Sequence, residues 1–355
     1  MEERDSEIKI PGEREIPSPD ETAREKCRKR WLSIAKPLFG LGTLEDAVIQ
    51  MAGITGTADV SIDKKGLIVM CADNGVVEEG ISQTDSSVTG VVTDNFARGL
   101  TSACLMSRAA GVDVFPIDIG VAADTMVYTD KVAYGTKNMA KEPAMTREEA
   151  INSICAGIRA AKRLKREGYQ ILLTGEMGIG NTTTSSAMAS VFLGRPAEEL
   201  TGRGAGLSSE GLNRKINAIR QAILRNQPDP EDPVDVLAKV GGFDIAGMAG
   251  VFLGGAAMHM PVVIDGFISC VAALTAMRLC PQAADYMMAS HVSREPAAGM
   301  LLDAIGKEAF LTCDMCLGEG SGAIMLFPLL DMGLEVYNRM ATFEENDIET
   351  YVPLS

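Results

Sequence analysis

Five short, mainly apolar runs, separated by segments long enough to form helices, constrain the fold of this chain more than any other feature. Runs of this length suit strands that are covered on both faces in a parallel sheet. Strand, Gly-rich turn, helix and strand follow one another from about residue 66 onward, so the sequence predicts an α/β fold with right-handed crossovers. The predicted strands are 67–71, 114–119, 171–173, 262–264 and 286–289.

Two of the intervening segments carry clear helical patterns. Thr146 and Glu149 have the spacing of a capping box, which marks the start of a helix. Apolar residues then recur at intervals of three to four, as on the buried face of an amphipathic helix. They are Ile151, Ile154, Ile158, Ala161 and Leu164, and a second helix repeats the pattern at Leu212, Ile216, Ile219 and Ile223.

Both ends of the chain are expected to form helices outside the sheet. The first forty-odd residues contain a charge-rich segment followed by an apolar helical pattern near 31–41, and 324–340 has the pattern of a helix that runs into an acidic tail. We expect the two terminal helices to pack beside each other as a small second unit.

The stretch 245–264 contains no formal charge and has the length of a transmembrane helix. It also contains four glycines, and Pro261 lies near its end. We interpret it as a buried Gly-rich helix, a break at Pro261 and a buried strand, 262–264. No interaction with membranes is therefore expected.

The charge and the cysteines exclude several classes of protein. The formal net charge is −15, whereas a protein that binds nucleic acid needs a basic surface. The basic cluster 162–166 falls at the end of a predicted helix, where cations are favoured by the helix dipole. The N-terminus lacks an apolar secretory segment, and the eight cysteines are spread through apolar contexts, so buried thiols in the cytoplasm are expected. Cys313 and Cys316 form a single CxxC without the further ligands that a zinc site needs.

Two Gly-rich segments, the first of which follows the predicted strand 171–173, indicate a phosphate site. Gly178, Gly180, Asn181 and Thr182 precede a helix, so backbone amides and the helix N-terminus could approach an anion. No Lys-Ser/Thr follows, so this is not a Walker loop. The second segment is 202–206, with a cation at Lys215 beyond it. Because ligands of open α/β sheets bind past the carboxyl ends of the strands, the two segments are predicted to share one site.

Two glutamates are candidates for a general base. Glu319 stands between Gly318 and Gly320 in an otherwise uncharged stretch, and Glu176 stands at a strand end inside the first Gly-rich segment. A carboxylate partly removed from water has a raised proton affinity and can accept a proton from a substrate. The alternative for Glu319 is an exposed glutamate in a turn.

Six ordered motifs, spread over about residues 35 to 335, resemble the nicotinate-nucleotide–dimethylbenzimidazole phosphoribosyltransferase family. They are DNGVVEEGIS (73–82), GTKNMAKEPAMT (135–146), TGEMGIGNTT (174–183), GGFDIAGMAG (241–250), VVIDGF (262–267) and LGEGSGA (317–323). The resemblance implies that nicotinate mononucleotide and 5,6-dimethylbenzimidazole give α-ribazole 5′-phosphate and nicotinate, a step in assembling the nucleotide loop of cobamides. No metal and no cofactor are implied.

The same resemblance implies the architecture. The large domain, 50–323, would hold a Rossmann-like parallel sheet flanked by helices. Residues 1–49 and 324–355 would form a small helical domain from both termini. The family is also expected to form homodimers.

The resemblance assigns roles to individual residues. Glu319 would deprotonate the benzimidazole nitrogen, with Glu176 beside the acceptor base. The base pocket is expected to include Ser82, Met177 and Leu317. The phosphoribosyl group is expected to contact Gly178, Gly180, Asn181, Thr182, Gly204, Lys215, Asp265, Ser293 and Gly320.

Departures from the family pattern fall on the acceptor side. Asn74 stands where many members have histidine, Gly90 and Val91 replace a segment that often contains glutamine, and the segment from Ser290 to Ala298 lacks a second histidine. Another benzimidazole, a purine or a phenol therefore stays open as acceptor. A partner subunit that binds the nucleotide without turnover is the alternative function. A dehydrogenase is disfavoured because no Gly-x-Gly-x-x-Gly follows the first strand.

Overall fold

The computed structural model describes residues 8–351 and contains one parallel six-stranded sheet with the order β3-β2-β1-β4-β5-β6. In this doubly wound order the chain reverses direction across the sheet between β1 and β4, and such a switch point is where ligands bind. The strands are β1 (Lys65–Ala72), β2 (Val112–Gly120), β3 (Tyr128–Thr129), β4 (Ile171–Met177), β5 (Val262–Ile264) and β6 (Met287–Ala289). The α/β fold predicted from the sequence is confirmed.

Helices cover both faces of the sheet, and α1 and α13 are the first and last of them. They are α1 (Glu21–Ser33), α2 (Thr43–Thr55), α3 (Ser87–Ala97), α4 (Ser102–Ala110), α5 (Arg147–Arg166), α6 (Asn181–Leu193), α7 (Ala197–Leu200), α8 (Ser209–Asn226), α9 (Pro233–Val240), α10 (Phe243–Ala257), α11 (Phe267–Leu279), α12 (Ala298–Ile305) and α13 (Ser321–Arg339). Short 3₁₀ helices lie at Glu13–Glu15, Gly75–Glu79 and Pro281–Tyr286.

Most predicted elements are confirmed, with three corrections. Each predicted strand coincides with a strand of the sheet, but Tyr286 ends a 3₁₀ helix, and the two-residue β3 was not predicted. The capping box at Thr146 begins α5 as expected. The predicted helix near 31–41 is wrong: α1 ends at Ser33 and a turn follows around Pro37.

The charge-free stretch 245–264 is a buried helix and a buried strand, as predicted. α10 lies against α5 with its backbone almost in contact: a Cβ on Gly250 would overlap the Ile154 carbonyl oxygen, and one on Gly157 would overlap the Gly247 carbonyl oxygen. Across residues 8–351, no helix is both long enough and apolar enough to span a membrane.

Gly250→Ala is therefore expected to lower the free energy of unfolding by about 2 kcal/mol or more, because the added methyl must push two helix backbones apart. Urea unfolding measures this effect. Gly299→Ala on α12 is the matched control, since its Cβ would meet no atom within 4 Å. Equal stabilities of the two variants would contradict the observed packing.

The helices at the two ends of the described chain lie next to each other. The rings of Trp31 and Tyr337 are 4.9 Å apart, Arg30 donates a hydrogen bond of 3.2 Å to the Tyr337 carbonyl, and Ile34 forms a β-bridge with Thr342. The division into domains at 50–323 stays a prediction.

The cysteines follow the prediction only in part. Six are buried, but Cys313 and Cys316 are exposed because they lie on the loop that precedes α13. Among the described residues, no group of three or more His, Cys, Asp or Glu side chains could hold a metal ion.

Candidate active site

A cleft of about 210 Å³ opens at the carboxyl ends of β4, β5 and β6, next to the switch point of the sheet. The cleft contains thirteen of the fourteen site residues predicted from the sequence. The exception is Gly320, which is buried directly behind Glu319 and forms the N-cap of α13. The cleft thus brings together the two segments predicted to bind phosphate, both candidate bases and the residues predicted to contact the acceptor base.

The N-terminus of α6 forms one wall of the cleft. Gly180 is its N-cap with a φ of +95°, and no side chain caps this helix. The Asn181 and Thr183 N–H groups donate to the Gly178 and Gly180 carbonyls, whereas the Thr182 N–H donates to no acceptor in the described structure and is available to a ligand. Gly178 admits no side chain, because a Cβ there would overlap the Ala72 carbonyl oxygen. The turn that the glycines allow therefore places backbone amides at the cleft, where they can bind an anion.

Lys215 of α8 brings a buried cation to the same wall. Its ammonium donates hydrogen bonds to Thr182 Oγ1 at 2.9 Å and to the Gly202 carbonyl at 3.2 Å. Burial lowers the pKa of Lys215 to about 8, although the negative charge of Glu295 opposes that shift. An anion bound here would favour the charged form of the ammonium and accept a charge-assisted hydrogen bond from it.

Glu176 is buried among other acids, and its pKa is raised well above the ordinary value. Burial is the main cause, and the charges of Asp244 and Asp265 add to it. Its Oε2 accepts a hydrogen bond from Asn181 Nδ2, and its Oε1 accepts one from the Glu319 backbone N–H at 3.4 Å. The raised proton affinity expected for a carboxyl at this strand end is thus present, and it favours the neutral acid.

Glu319 lies in a strained turn and lines the cleft. Its φ is +60°, and it stands between Gly318 and Gly320, whose φ angles are both +85°. Its Oε2 accepts a hydrogen bond of 2.9 Å from the Ala103 backbone N–H. Non-glycine residues in this region of φ cost of order 1–3 kcal/mol and cluster at functional sites. Glu319 is half-buried, so it is not an exposed turn glutamate.

Asp265 and Ser293 complete the cleft from the strands β5 and β6. Asp265 Oδ1 accepts a hydrogen bond of 2.9 Å from the Ala323 N–H in the first turn of α13. Burial raises the pKa of Asp265, and the charge of His291 opposes this shift. A hydroxyl and a carboxyl are therefore available to the polar groups of a ligand.

Comparison with known proteins agrees with this geometry. A family model described as Phosphoribosyltransferase matches residues 16–348. Nicotinate-nucleotide–dimethylbenzimidazole phosphoribosyltransferases from Acetivibrio thermocellus and Clostridium acetobutylicum are 49% and 48% identical to the chain; the matches cover 93% and 94% of this chain and 95% and 96% of the relatives. The crystal structure of CobT from Thermus thermophilus superimposes with a TM-score of 0.88 at 37% identity, covering 93% of this chain and all of that one. The chain belongs to this phosphoribosyltransferase family.

Several groups that line or support the cleft of this phosphoribosyltransferase were not predicted from the sequence. Glu295 lines the cleft with a buried Oε2 that has no hydrogen-bond partner in the described structure, and it follows Ser293 closely enough to have been noticed. Asp244 is buried behind Glu176, and burial raises its pKa to about 7. The only feature of the sequence that could have indicated Asp244 is its position at the start of the Gly-rich helix α10. Nothing in the sequence indicated that the Ala103 N–H would bind the carboxylate of Glu319.

Proposed function

We propose that this phosphoribosyltransferase moves the 5-phosphoribosyl group of nicotinate mononucleotide to 5,6-dimethylbenzimidazole or a related base, giving α-ribazole 5′-phosphate and nicotinate. The observation that supports this most strongly is a single cleft with an anion cradle around Lys215 on one wall and the carboxylate of Glu319 on another. The relatives are named for this reaction.

The donor phosphate would bind to the amides of Gly178, Gly180 and Thr182 and to the ammonium of Lys215. Gly204 lies close to the Thr182 and Lys215 side chains, because a Cβ there would be 3.0 Å from Thr182 Oγ1 and 3.6 Å from Lys215 Nζ. Asn181, Asp265, Ser293 and Gly320 belong to the same proposed subsite. Fixing the phosphate in this way positions the anomeric carbon of the ribosyl group for attack.

Glu319 is the proposed base. Displacement at the anomeric carbon develops positive charge on the sugar, and the acceptor nitrogen must lose its proton as it attacks. Attack from the face opposite to nicotinate inverts the centre and gives the α-linkage. Nicotinate leaves from a pyridinium, and no pyrophosphate has to be stabilised, so the proposed reaction does not call for a divalent cation.

Glu176 would act as a neutral acid that donates a hydrogen bond. Its raised pKa favours the protonated form, so it is a weaker candidate for the base than Glu319. This assignment refines the sequence-based prediction, which gave both glutamates the same property.

The acceptor would lie against Ser82, Met177 and Leu317, all of which line the cleft. Leu317 is 52% exposed and offers an apolar surface to a flat ring. The test is to incubate the purified protein with nicotinate mononucleotide and a panel of benzimidazoles, purines and phenols, and to measure nicotinate release together with the ribosylated product. Release with a benzimidazole is expected, and no release with any acceptor would contradict the proposal.

We also propose a homodimer. Large apolar side chains are exposed on α3, α4, β3 and the loops beside them; they are Val91, Leu100, Leu105, Met126, Tyr128 and Tyr134. Such side chains on one part of the surface are typical of interfaces. Sedimentation of the purified protein tests this proposal, and a monomer at micromolar concentration would contradict it.

The affinity for the donor should fall as the pH rises through about 8, because Lys215 is charged below its pKa of about 8 and neutral above it. We expect the KM for nicotinate mononucleotide to rise roughly tenfold per pH unit above that value until the contribution of the charge is lost. Initial rates between about pH 7 and about pH 9.5 measure this. A KM that stays constant over the range would show that the Lys215 charge does not contact the donor.

A further inference from the structure

The carboxylate of Glu319 lies at the N-terminus of α4, a helix that is 216 residues earlier in the sequence. The Ala103 N–H donates a hydrogen bond of 2.9 Å to Glu319 Oε2, and the described residues donate no hydrogen bond to Oε1. We propose that the Ala103 N–H is a positioning group for the reaction, which holds one carboxylate oxygen and leaves the other for the acceptor nitrogen. The inference rests on the proposed role of Glu319 as base.

The residues at the start of α4 provide no hydrogen-bond acceptor for the Ala103 N–H. Thr101 caps the helix: its Oγ1 accepts a hydrogen bond from the Cys104 N–H at 3.3 Å, and its carbonyl accepts one from the Leu105 N–H at 3.1 Å. The first turn contains no acidic residue. Ala103 is fully buried, so its N–H would be unsatisfied without Glu319. The positive end of the helix dipole also stabilises the carboxylate.

The backbone of Glu319 is fixed from the opposite side. A Cβ on Gly175 would be 2.7 Å from the Glu319 carbonyl oxygen, so β4 and the turn are closely packed. The Glu319 N–H donates to Glu176 Oε1 at 3.4 Å. With its main chain held in this way, only the side-chain torsions of Glu319 are free. The N-terminus of α4 therefore determines where the carboxylate lies.

Loss of the Ala103 N–H is expected to impair the base and leave donor binding intact. A carboxylate that can rotate presents its free oxygen to the acceptor less often, which lowers kcat. The proposed phosphate cradle is formed by α6, α8 and the loop at 202–206. Because α4 is not part of this cradle, the KM for nicotinate mononucleotide should change little.

The experiment compares two proline substitutions in the full-length protein. Ala103→Pro removes the donor, and its ring excludes the carboxylate from its place, while proline is tolerated in the first turn of a helix. Ser102→Pro is the matched control. Ser102 is the first residue of α4, which is the position that proline prefers in a helix. Its N–H donates no hydrogen bond in the described structure, so the substitution removes none. We expect Ala103→Pro to lower kcat about tenfold or more with an almost unchanged KM, and Ser102→Pro to keep near-normal kcat.

A double-mutant cycle with Glu319→Gln separates positioning from a general structural effect. If Ala103 acts through Glu319, Ala103→Pro should cause much less further loss in the Glu319→Gln background. An equal loss in both backgrounds, or full activity of Ala103→Pro, would overturn the inference. If Ala103→Pro does not fold, replacing Ala103 by lactic acid converts the N–H to an ester oxygen with the side chain unchanged, and the same outcomes apply. Near-normal turnover of Glu319→Gln itself would instead contradict the proposed function of Glu319.

Discussion

Glu319→Gln should lower the turnover number by about two to four orders of magnitude, which is the usual contribution of a general base. Glutamine has the same shape and can still accept the hydrogen bond from the Ala103 N–H through its amide oxygen, but it cannot take up the acceptor proton. Donor binding should survive, because the proposed phosphate cradle around Lys215 lies on another wall of the cleft. Steady-state rates of nicotinate release with saturating acceptor measure the effect.

Two comparison variants make this result specific. Glu335→Gln on α13 removes an exposed carboxylate distant from the cleft and should leave turnover unchanged. Glu176→Gln imitates the neutral acid that its raised pKa favours, so it should lose much less activity than Glu319→Gln. A larger loss for Glu176→Gln than for Glu319→Gln would reverse the assignment of the base.

Lys215→Met has the second largest expected effect, a decrease in kcat/KM for nicotinate mononucleotide of about ten- to a hundredfold. Hydrogen bonds to charged groups contribute about 1.5–3 kcal/mol, and in the proposed complex the buried Lys215 would donate one to the donor phosphate. Methionine preserves most of the buried volume, so the fold should be retained. Initial rates over a range of donor concentrations measure the loss.

The pH dependence provides an internal control for Lys215→Met. The rise in KM above about pH 8 should disappear in this variant, because the titrating group is absent. Lys165→Met, at the exposed C-terminal end of α5, should retain both the rate and the pH dependence. A pH dependence that persists in Lys215→Met would show that another group titrates.

The fold, and the position of the cleft that we propose as the site, could be predicted because they depend on local patterns. Buried parallel strands appear as short apolar runs, and the loops after them carry the glycines and polar groups of the cleft. The turn after α1 was missed because the apolar pattern continues past Ser33, although Pro37, Gly40 and Gly42 favour a turn. The two-residue β3 is too short to produce any pattern.

The electrostatic differences within the site could not be predicted from the sequence. Glu176 and Glu319 both stand in Gly-rich segments, yet only the structure shows that Glu176 lies beside Asp244 and Asp265 while Glu319 reaches α4. These neighbours come from segments that are distant in the chain. The same is true of Glu295 beside Lys215, since proximity across a sheet edge leaves no trace in local spacing.

A crystal structure with α-ribazole 5′-phosphate bound tests the central claim most directly. We predict that the product phosphate contacts Lys215. We also predict that a Glu319 carboxylate oxygen lies within about 3.2 Å of the benzimidazole nitrogen that bonds to the ribose, or reaches it through one water. A product bound in this cleft with the Glu319 carboxylate remote from the new glycosidic bond would contradict it.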